Sequence, residues 1–139
     1  MNNTVTLEGN LTQDPEIKFL QGGSATVRLS IACNRRFQKA GEWVEQVSFF
    51  TVVAYGRLAE NCGNSLTKGD RIIASGRAEQ RSWETDDKQK RSVVEIVADT
   101  IGASLLFSEV LIQEGAGRTD PASTIRKNFP GATIEEDAF

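Results

Sequence analysis

The sequence predicts an all-β fold in which five strands curl into a partly open barrel, with one short helix between the third strand and the fourth. Three observations carry this. Between Thr4 and Thr100, apolar and polar residues alternate in several runs, the period of a strand with one face buried. Glu45 to Gly56, EQVSFFTVVAYG, is a longer run rich in β-branched and aromatic side chains, the composition of a central strand. After it, Leu58, Ala59, Cys62 and Leu66 recur at helical spacing.

The first strand is Thr4 to Asn10, with Val5 and Leu7 on one face and Thr4, Thr6 and Glu8 on the other. Asp14-Pro15 marks a turn, Glu16 to Phe19 a short extended piece, and Gln21-Gly22-Gly23-Ser24 a hairpin turn. Ala25 to Asn34 is the second strand, with Val27, Leu29, Ile31 and Cys33 inward and Arg28, Ser30 and Asn34 outward. Cys33 therefore reads as a small core hydrophobe, not a reactive thiol. Arg35 to Trp43, RRFQKAGEW, reads as a polar connector into the central strand. An aromatic among cations is poor core material but suits a base and its phosphate.

In the central strand, Phe49, Thr51, Val53 and Tyr55 share one side and Phe50, Val52 and Ala54 the other. Periodicity alone leaves two readings open: a strand buried on both sides, or a strand with one face offered as a platform for flat ligands. The helix starts at Gly56, turns Cys62 to the core, and is expected to be capped by Gly69. Arg71 to Arg81 is the fourth strand, with Ile72 and Ile73 expected to be buried on opposite faces and Gly76 to allow a bend or bulge. Trp83 to Arg91 is a charged hairpin tip, and Ser92 to Thr100 is the last strand. This order is that of an OB-fold, whose binding face is flanked by the loops between strands 1 and 2 and between strands 4 and 5. Trp83 falls on the second of these.

Composition narrows the function. The chain has no histidine, the commonest general acid and base and the partner in most nucleophile pairs and zinc sites. The carboxylates of Asp86 and Asp87, in TDDKQKR, and of Glu135 to Asp137 read as solvated loop charges, so no catalytic residue, metal or cofactor is expected. Cys33 and Cys62 are the only cysteines and lack metal-site spacing; free thiols in a reducing cytoplasm are expected. No apolar run approaches a membrane span, and MNNTVTLEGN lacks the pattern of an export signal. The net charge of −3 is unevenly placed: residues 1–112 hold 13 Lys/Arg and 14 Asp/Glu, and residues 113–139 hold 3 and 5. The body is nearly neutral with room for a basic face.

At this point VTLEGNLTQDPEIKF, the GG before an alternating strand, VSFFTVVAYGRLAENCGNSLTKGD, RIIASGRAEQRSW and an acidic tip ending in Phe together resemble bacterial single-stranded DNA-binding protein. The resemblance spans about residues 3–107 and the last few residues. It implies sequence-independent binding and protection of single-stranded DNA in replication, recombination and repair, by a cytoplasmic, nucleoid-associated homotetramer. The alternative is an OB-fold scaffold of a replication-restart complex that binds DNA incidentally.

The resemblance assigns base stacking to Phe37, Phe49, Tyr55 and Trp83. Phe37 and Phe49 stand where many members have Trp, which reduces the stacking area. Phosphate contacts are expected among Arg28, Arg35, Arg36, Lys39, Arg57, Lys68, Arg77, Arg81, Lys88, Lys90 and Arg91; the competing reading of each is a solvated surface charge. Phe50 stands where the family makes subunit contacts. Trp43 has no stacking counterpart, and a structural or interface role is expected for it.

The expected organisation is a DNA-binding and oligomerisation domain over 1–112, a flexible linker over 113–133 and an acidic interaction tip over 134–139. Ser104 to Gln113, SLLFSEVLIQ, is apolar enough for an extra strand or short helix, and in some actinobacterial members a similar segment clamps neighbouring subunits. The tip, IEEDAF, matches the family's partner-docking motif: Phe139 fills an apolar pocket, while Glu135, Glu136 and Asp137 meet basic residues on replication, recombination and repair proteins. Ala138 stands where Pro is usual, so the tip is less pre-ordered.

Overall fold

The computed structural model describes residues 2–113. The elements run β1 (Val5–Leu11), β2 (Glu16–Phe19), β3 (Ala25–Lys39), β4 (Glu42–Tyr55), α1 (Arg57–Ser65), β5 (Arg71–Glu84) and β6 (Lys90–Ala103). They form one sheet in the order β1-β5-β6-β4-β3, closed on itself by a short antiparallel β1–β3 pairing at Asn10↔Ala32 and Leu11↔Ile31. The five-stranded barrel expected from the sequence is thus present. The extended piece Glu16–Phe19 adds itself to the β3 edge as a sixth, short strand. All pairings are antiparallel except β4 against β6, which meet through Val52↔Ile96 and Val53↔Val97.

Alternation fills the barrel. Val27, Leu29 and Ile31 of β3, Val52 and Ala54 of β4, Ile72 and Ala74 of β5, and Ile96 and Ala98 of β6 point inward and are buried. Ala59 and Cys62 of α1 join the same core, with Leu58 and Leu66 packed partly against it. At the bulge between Ser75 and Gly76, β5 and β6 approach so closely that a Cβ on Gly76 would run into the Val97 carbonyl and the Ala98 backbone. Glycine is therefore required there for the barrel to close.

Several expectations are corrected. Arg35 to Trp43 is not a connector: β3 and β4 stay paired without a break from Thr26↔Tyr55 to Lys39↔Glu42, joined by a two-residue turn with Ala40 at φ 54° and Gly41 at φ 82°. Positive φ at both turn residues fits the twist of the flanking strands. The charged tip from Trp83 to Arg91 is likewise mostly strand, with only Thr85 to Gln89 forming the loop. Ile73 is exposed, lying on the outer barrel face opposite Glu8 and Gly102. Gly69 does not cap α1; the helix stops at an extended Leu66, and Gly69 serves the next turn by donating its N–H to the Leu11 carbonyl. Ser104 to Gln113 forms neither strand nor helix. Instead Ser104 is buried, its N–H donating to the Arg71 carbonyl and its hydroxyl bonding Glu8, while Arg71 stacks on Phe107.

No helix among the described residues is long and apolar enough to cross a membrane. The linker beyond Gln113 and the tip residues Glu135, Glu136, Asp137 and Phe139 lie outside the described residues.

Candidate nucleic-acid interface

The register of the strands decides which side chains can share a ligand. On β4 the odd positions Phe49, Thr51, Val53 and Tyr55 face outward, opposite Ala32, Ser30, Arg28 and Thr26 of β3. Through Val53↔Val97 this face continues onto β6, with Glu95 and Val93, and through Arg77↔Val97 onto β5, with Arg77, Glu79, Arg81 and Trp83. Three of the four aromatics assigned to stacking thus lie on one outer face. Phe49 is 72% exposed, Tyr55 54% and Trp83 41%. The even positions Phe50, Val52 and Ala54 go to the core, so β4 is not buried on both sides: its inner face packs and its outer face is open at Phe49 and Tyr55. Val53 is the exception: it is covered on the outer face although the aromatics near it are open.

Phe37 is placed differently. It stands opposite Val44 on the reverse face of the β3–β4 arm, half-buried, with the Arg35 guanidinium 5.0 Å from its ring centroid. Phe50 is half-buried against its own barrel core. Any subunit contact by Phe50 uses only the part of the ring that this packing leaves open.

The electrostatic centre of the outer face is Glu95, a carboxylate only 5% exposed. Arg81 Nε donates to its Oε1 at 2.6 Å, and Arg28 lies 3.4 Å from its Oε2. A nearly buried carboxylate needs such partners, since an unpaired charge there costs several kcal/mol of desolvation, on the order given for buried ions. Arg81 also lies 4.9 Å from the Trp83 ring centroid. One arginine therefore fixes a buried anion and steadies an exposed indole. With Arg81 over one side of the ring, only the other side is open to a flat ligand unless the guanidinium moves.

The remaining cations are spread along both arms and the helix. Arg77 pairs with Glu79 at 3.2 Å and Asp99 at 3.9 Å. Arg35 donates to Gln46 and Arg91 to Gln89, each at 3.1 Å. Lys39 precedes the Ala40-Gly41 turn, Lys88 sits in the second loop at φ 61°, and Lys90 opens β6. Arg57 is the first residue of α1, and Lys68, exposed, donates its backbone N–H to Asp14. Among the described residues, Arg35, Arg36, Lys39, Arg57, Lys68, Lys88, Lys90 and Arg91 have no carboxylate in salt-bridge range.

Other chemistry is sparse. The Thr85 hydroxyl donates to Asp87 at 2.6 Å and holds that carboxyl below its ordinary range. Burial pushes the Cys62 thiol up to about 11; burial also raises Cys33, with Arg71 opposing. Both thiols are protonated at neutral pH and poor nucleophiles. Among the described residues no three His, Cys, Asp or Glu side chains gather as metal ligands would. What this face can do is stack flat rings and meet anions.

Two residues escaped sequence reasoning. Glu95 looked like one polar residue in an alternating strand, and nothing local signals that arginines from two other strands converge on it. Trp43, for which a structural or interface role is expected from the sequence, is 63% exposed, and the face it takes depends on the unbroken pairing of the arm.

Comparisons with known proteins point the same way. Residues 2–104 match the model of the Single-strand binding protein family. The single-stranded DNA-binding protein of Mycobacterium leprae is 39% identical over 116 residues, covering 81% of this chain and 69% of that protein. That of Paenarthrobacter nicotinovorans is 42% identical over 112 residues, covering 78% of this chain and 66% of that one. Among solved structures, the small single-stranded DNA-binding protein of Streptomyces coelicolor is similar with a TM-score of 0.63 and 29% identity, over 76% of this chain and 96% of that one. The Plasmodium falciparum SSB complex with ssDNA matches with a TM-score of 0.69 at 23% identity, over 75% and 95% of the two chains, a likeness of fold.

Proposed function

The chain belongs to the single-strand binding protein family, and on that premise we propose that it binds and protects single-stranded DNA without regard to sequence and without a chemical step. The observation that carries this is the outer barrel face on which Phe49, Tyr55 and Trp83 stand exposed beside arginines. Exposed aromatics cost solubility and give the fold nothing in return, whereas a base stacked on one is worth about 1–3 kcal/mol and any base will do. Phe37 serves the same strand from the reverse of the β3–β4 arm, so DNA wraps the arm and does not merely cross one face. The cations of both arms, with Arg28, Arg77 and Arg81 of the barrel face and Arg57 and Lys68 beside α1, meet phosphates and displace counterions.

The assembly we propose is a homotetramer in which Phe50 contributes at a symmetric contact, working in the cytoplasm on nucleoid DNA. The domain over 1–112 binds DNA and assembles, residues 113–133 act as a linker, and Glu135, Glu136, Asp137 and Phe139 recruit replication, recombination and repair enzymes through complementary basic, apolar pockets. The decisive experiment is a titration with fluorescently labelled dT oligomers of increasing length, with particle mass followed by light scattering. Saturable binding that tightens with length, on a particle of four chains, is expected. Equal affinity for duplex of the same length sinks the single-strand reading, and a monomer mass sinks the tetramer.

A further inference from the structure

We propose that Trp43 is a fifth stacking position, which carries the single-strand path outward from the barrel along the β3–β4 arm. The inference rests on the single-stranded DNA reading and extends it to a residue that the family resemblance leaves without a role.

The geometry is that of the arm. Because β3 and β4 pair without a bulge from Tyr55 to Glu42, side-chain parity is preserved along the whole of β4. Trp43 therefore lies on the same face as Phe49 and Tyr55. The three aromatics are spaced six residues apart, or about 20 Å at each step at the rise of a strand. Trp43 is 63% exposed, more open than Trp83. The extra twist of a two-stranded ribbon turns this face gradually about the arm axis, and Phe37 already occupies the reverse.

The surroundings of Trp43 favour a nucleic acid over a second subunit. Arg36 lies 5.3 Å from the indole centroid, repeating the arginine-on-aromatic pairing of Arg81 with Trp83 and Arg35 with Phe37. Its register neighbours on the arm are Gln38, Arg36 and Glu45, and Lys39 stands at the turn. A subunit contact centred on Trp43 would have to desolvate these charges around a single ring. A base needs only the ring, and its phosphate needs a cation within reach. Two acidic groups lie on this stretch: Glu45, on the face of Trp43, faces Arg36 in the register and accepts a long hydrogen bond from Asn34 at 3.5 Å, and Glu42, on the reverse face, stands opposite Lys39.

The chain has two tryptophans, Trp43 and Trp83, so two single-tryptophan variants report them separately. In Trp83→Phe only Trp43 emits, and in Trp43→Phe only Trp83 does. Each is titrated with a long dT oligomer while the anisotropy of labelled dT is followed in parallel. Quenching of Trp43 that tracks the anisotropy is expected. Trp43→Ala in the otherwise native chain is expected to lose roughly ten- to hundredfold in affinity, the range for one stacked base; Trp43→Phe keeps most of it, and light scattering shows an unchanged mass. Binding by anisotropy with no change in Trp43 emission and no loss in Trp43→Ala overturns the proposal. So does Trp43 emission that follows dilution of the protein and not added DNA, which makes it a subunit contact. Failure of dT to bind by any readout removes the single-strand reading itself, together with this extension of it.

Discussion

The charge beneath the aromatic face is set by three side chains. Glu95 contributes −1 from a nearly buried position, and Arg28 and Arg81 convert that spot to a net +1. Arg81→Ala cancels the surplus and leaves the carboxylate with only Arg28 beside it. Binding of dT oligomers is expected to weaken by about 2 kcal/mol or more, as when one partner of a hydrogen-bonded buried pair is cut away. The double variant Arg81→Ala/Glu95→Gln recovers part of that loss; an equal loss in both means that Glu95 plays no part. Cys62 gives a second test, on stability. Its thiol is raised from 9.0 to about 11 by burial, so the folded chain keeps a proton that the unfolded chain releases. Stability from this group is intact below about pH 9 and falls as pH rises towards 11, by roughly 2–3 kcal/mol across the window. Cys62→Ala is expected to flatten that part of the pH profile measured by urea unfolding. An unchanged slope assigns the alkaline loss to other groups. That Phe49 and Tyr55 share a face was legible in the sequence because strand alternation fixes it, whereas periodicity alone left open whether that face is buried. Glu95 was not legible, because its meaning lies in Arg81, which reaches it across the β5–β6 hairpin, and in Arg28, which is far away in the chain and comes close only when β3 joins the barrel.

Among the elements, the two paired arms separate what a sequence states from what it hides. The barrel portions of β3 and β4 announce themselves, since one face is buried and the other is not. From Asn34 to Val47 both faces of the ribbon meet solvent except at Phe37 and Val44, the alternation disappears, and the stretch resembles a loop. The pairing there is held by backbone hydrogen bonds and the Ala40-Gly41 turn, neither of which has an apolar period. Ile73 misled for the opposite reason: an apolar residue on a strand was assigned to a core that only Ile72 reaches. Gly76 was read correctly as a bulge, and the structure supplies the reason, the Val97 carbonyl lying where a side chain would begin. Gly76→Ala forces backbone apart between β5 and β6, at a cost of about 1–3 kcal/mol by analogy with overpacked cores. The midpoint of thermal unfolding is expected to drop by several degrees. An unshifted midpoint shows that the bulge absorbs a methyl group.

For the molecule as a whole, a formal charge of −3 taken alone argues against a polyanionic ligand, and the placement of charge answers it. Residues 1–112 are nearly neutral, so affinity cannot come from bulk attraction and must come from local cations aided by stacking. The salt dependence measures how the two share the work. Of the eleven cations expected at phosphates, Arg28, Arg77 and Arg81 are already ion-paired, leaving eight without a carboxylate in range among the described residues. At about 0.7 per phosphate contact on single strands, eight contacts give a log-log slope near −6 per subunit, and all eleven give about −8. A slope near −6 is expected in the wild type, because the carboxylates already paired with Arg28, Arg77 and Arg81 offset most of what those arginines add. Stacking makes no ionic contribution, so Phe49→Ala is expected to lower affinity by about 1–3 kcal/mol at every salt concentration while leaving that slope and the particle mass unchanged. A slope that falls with the ring would mean that Phe49 positions a cation and does not hold a base.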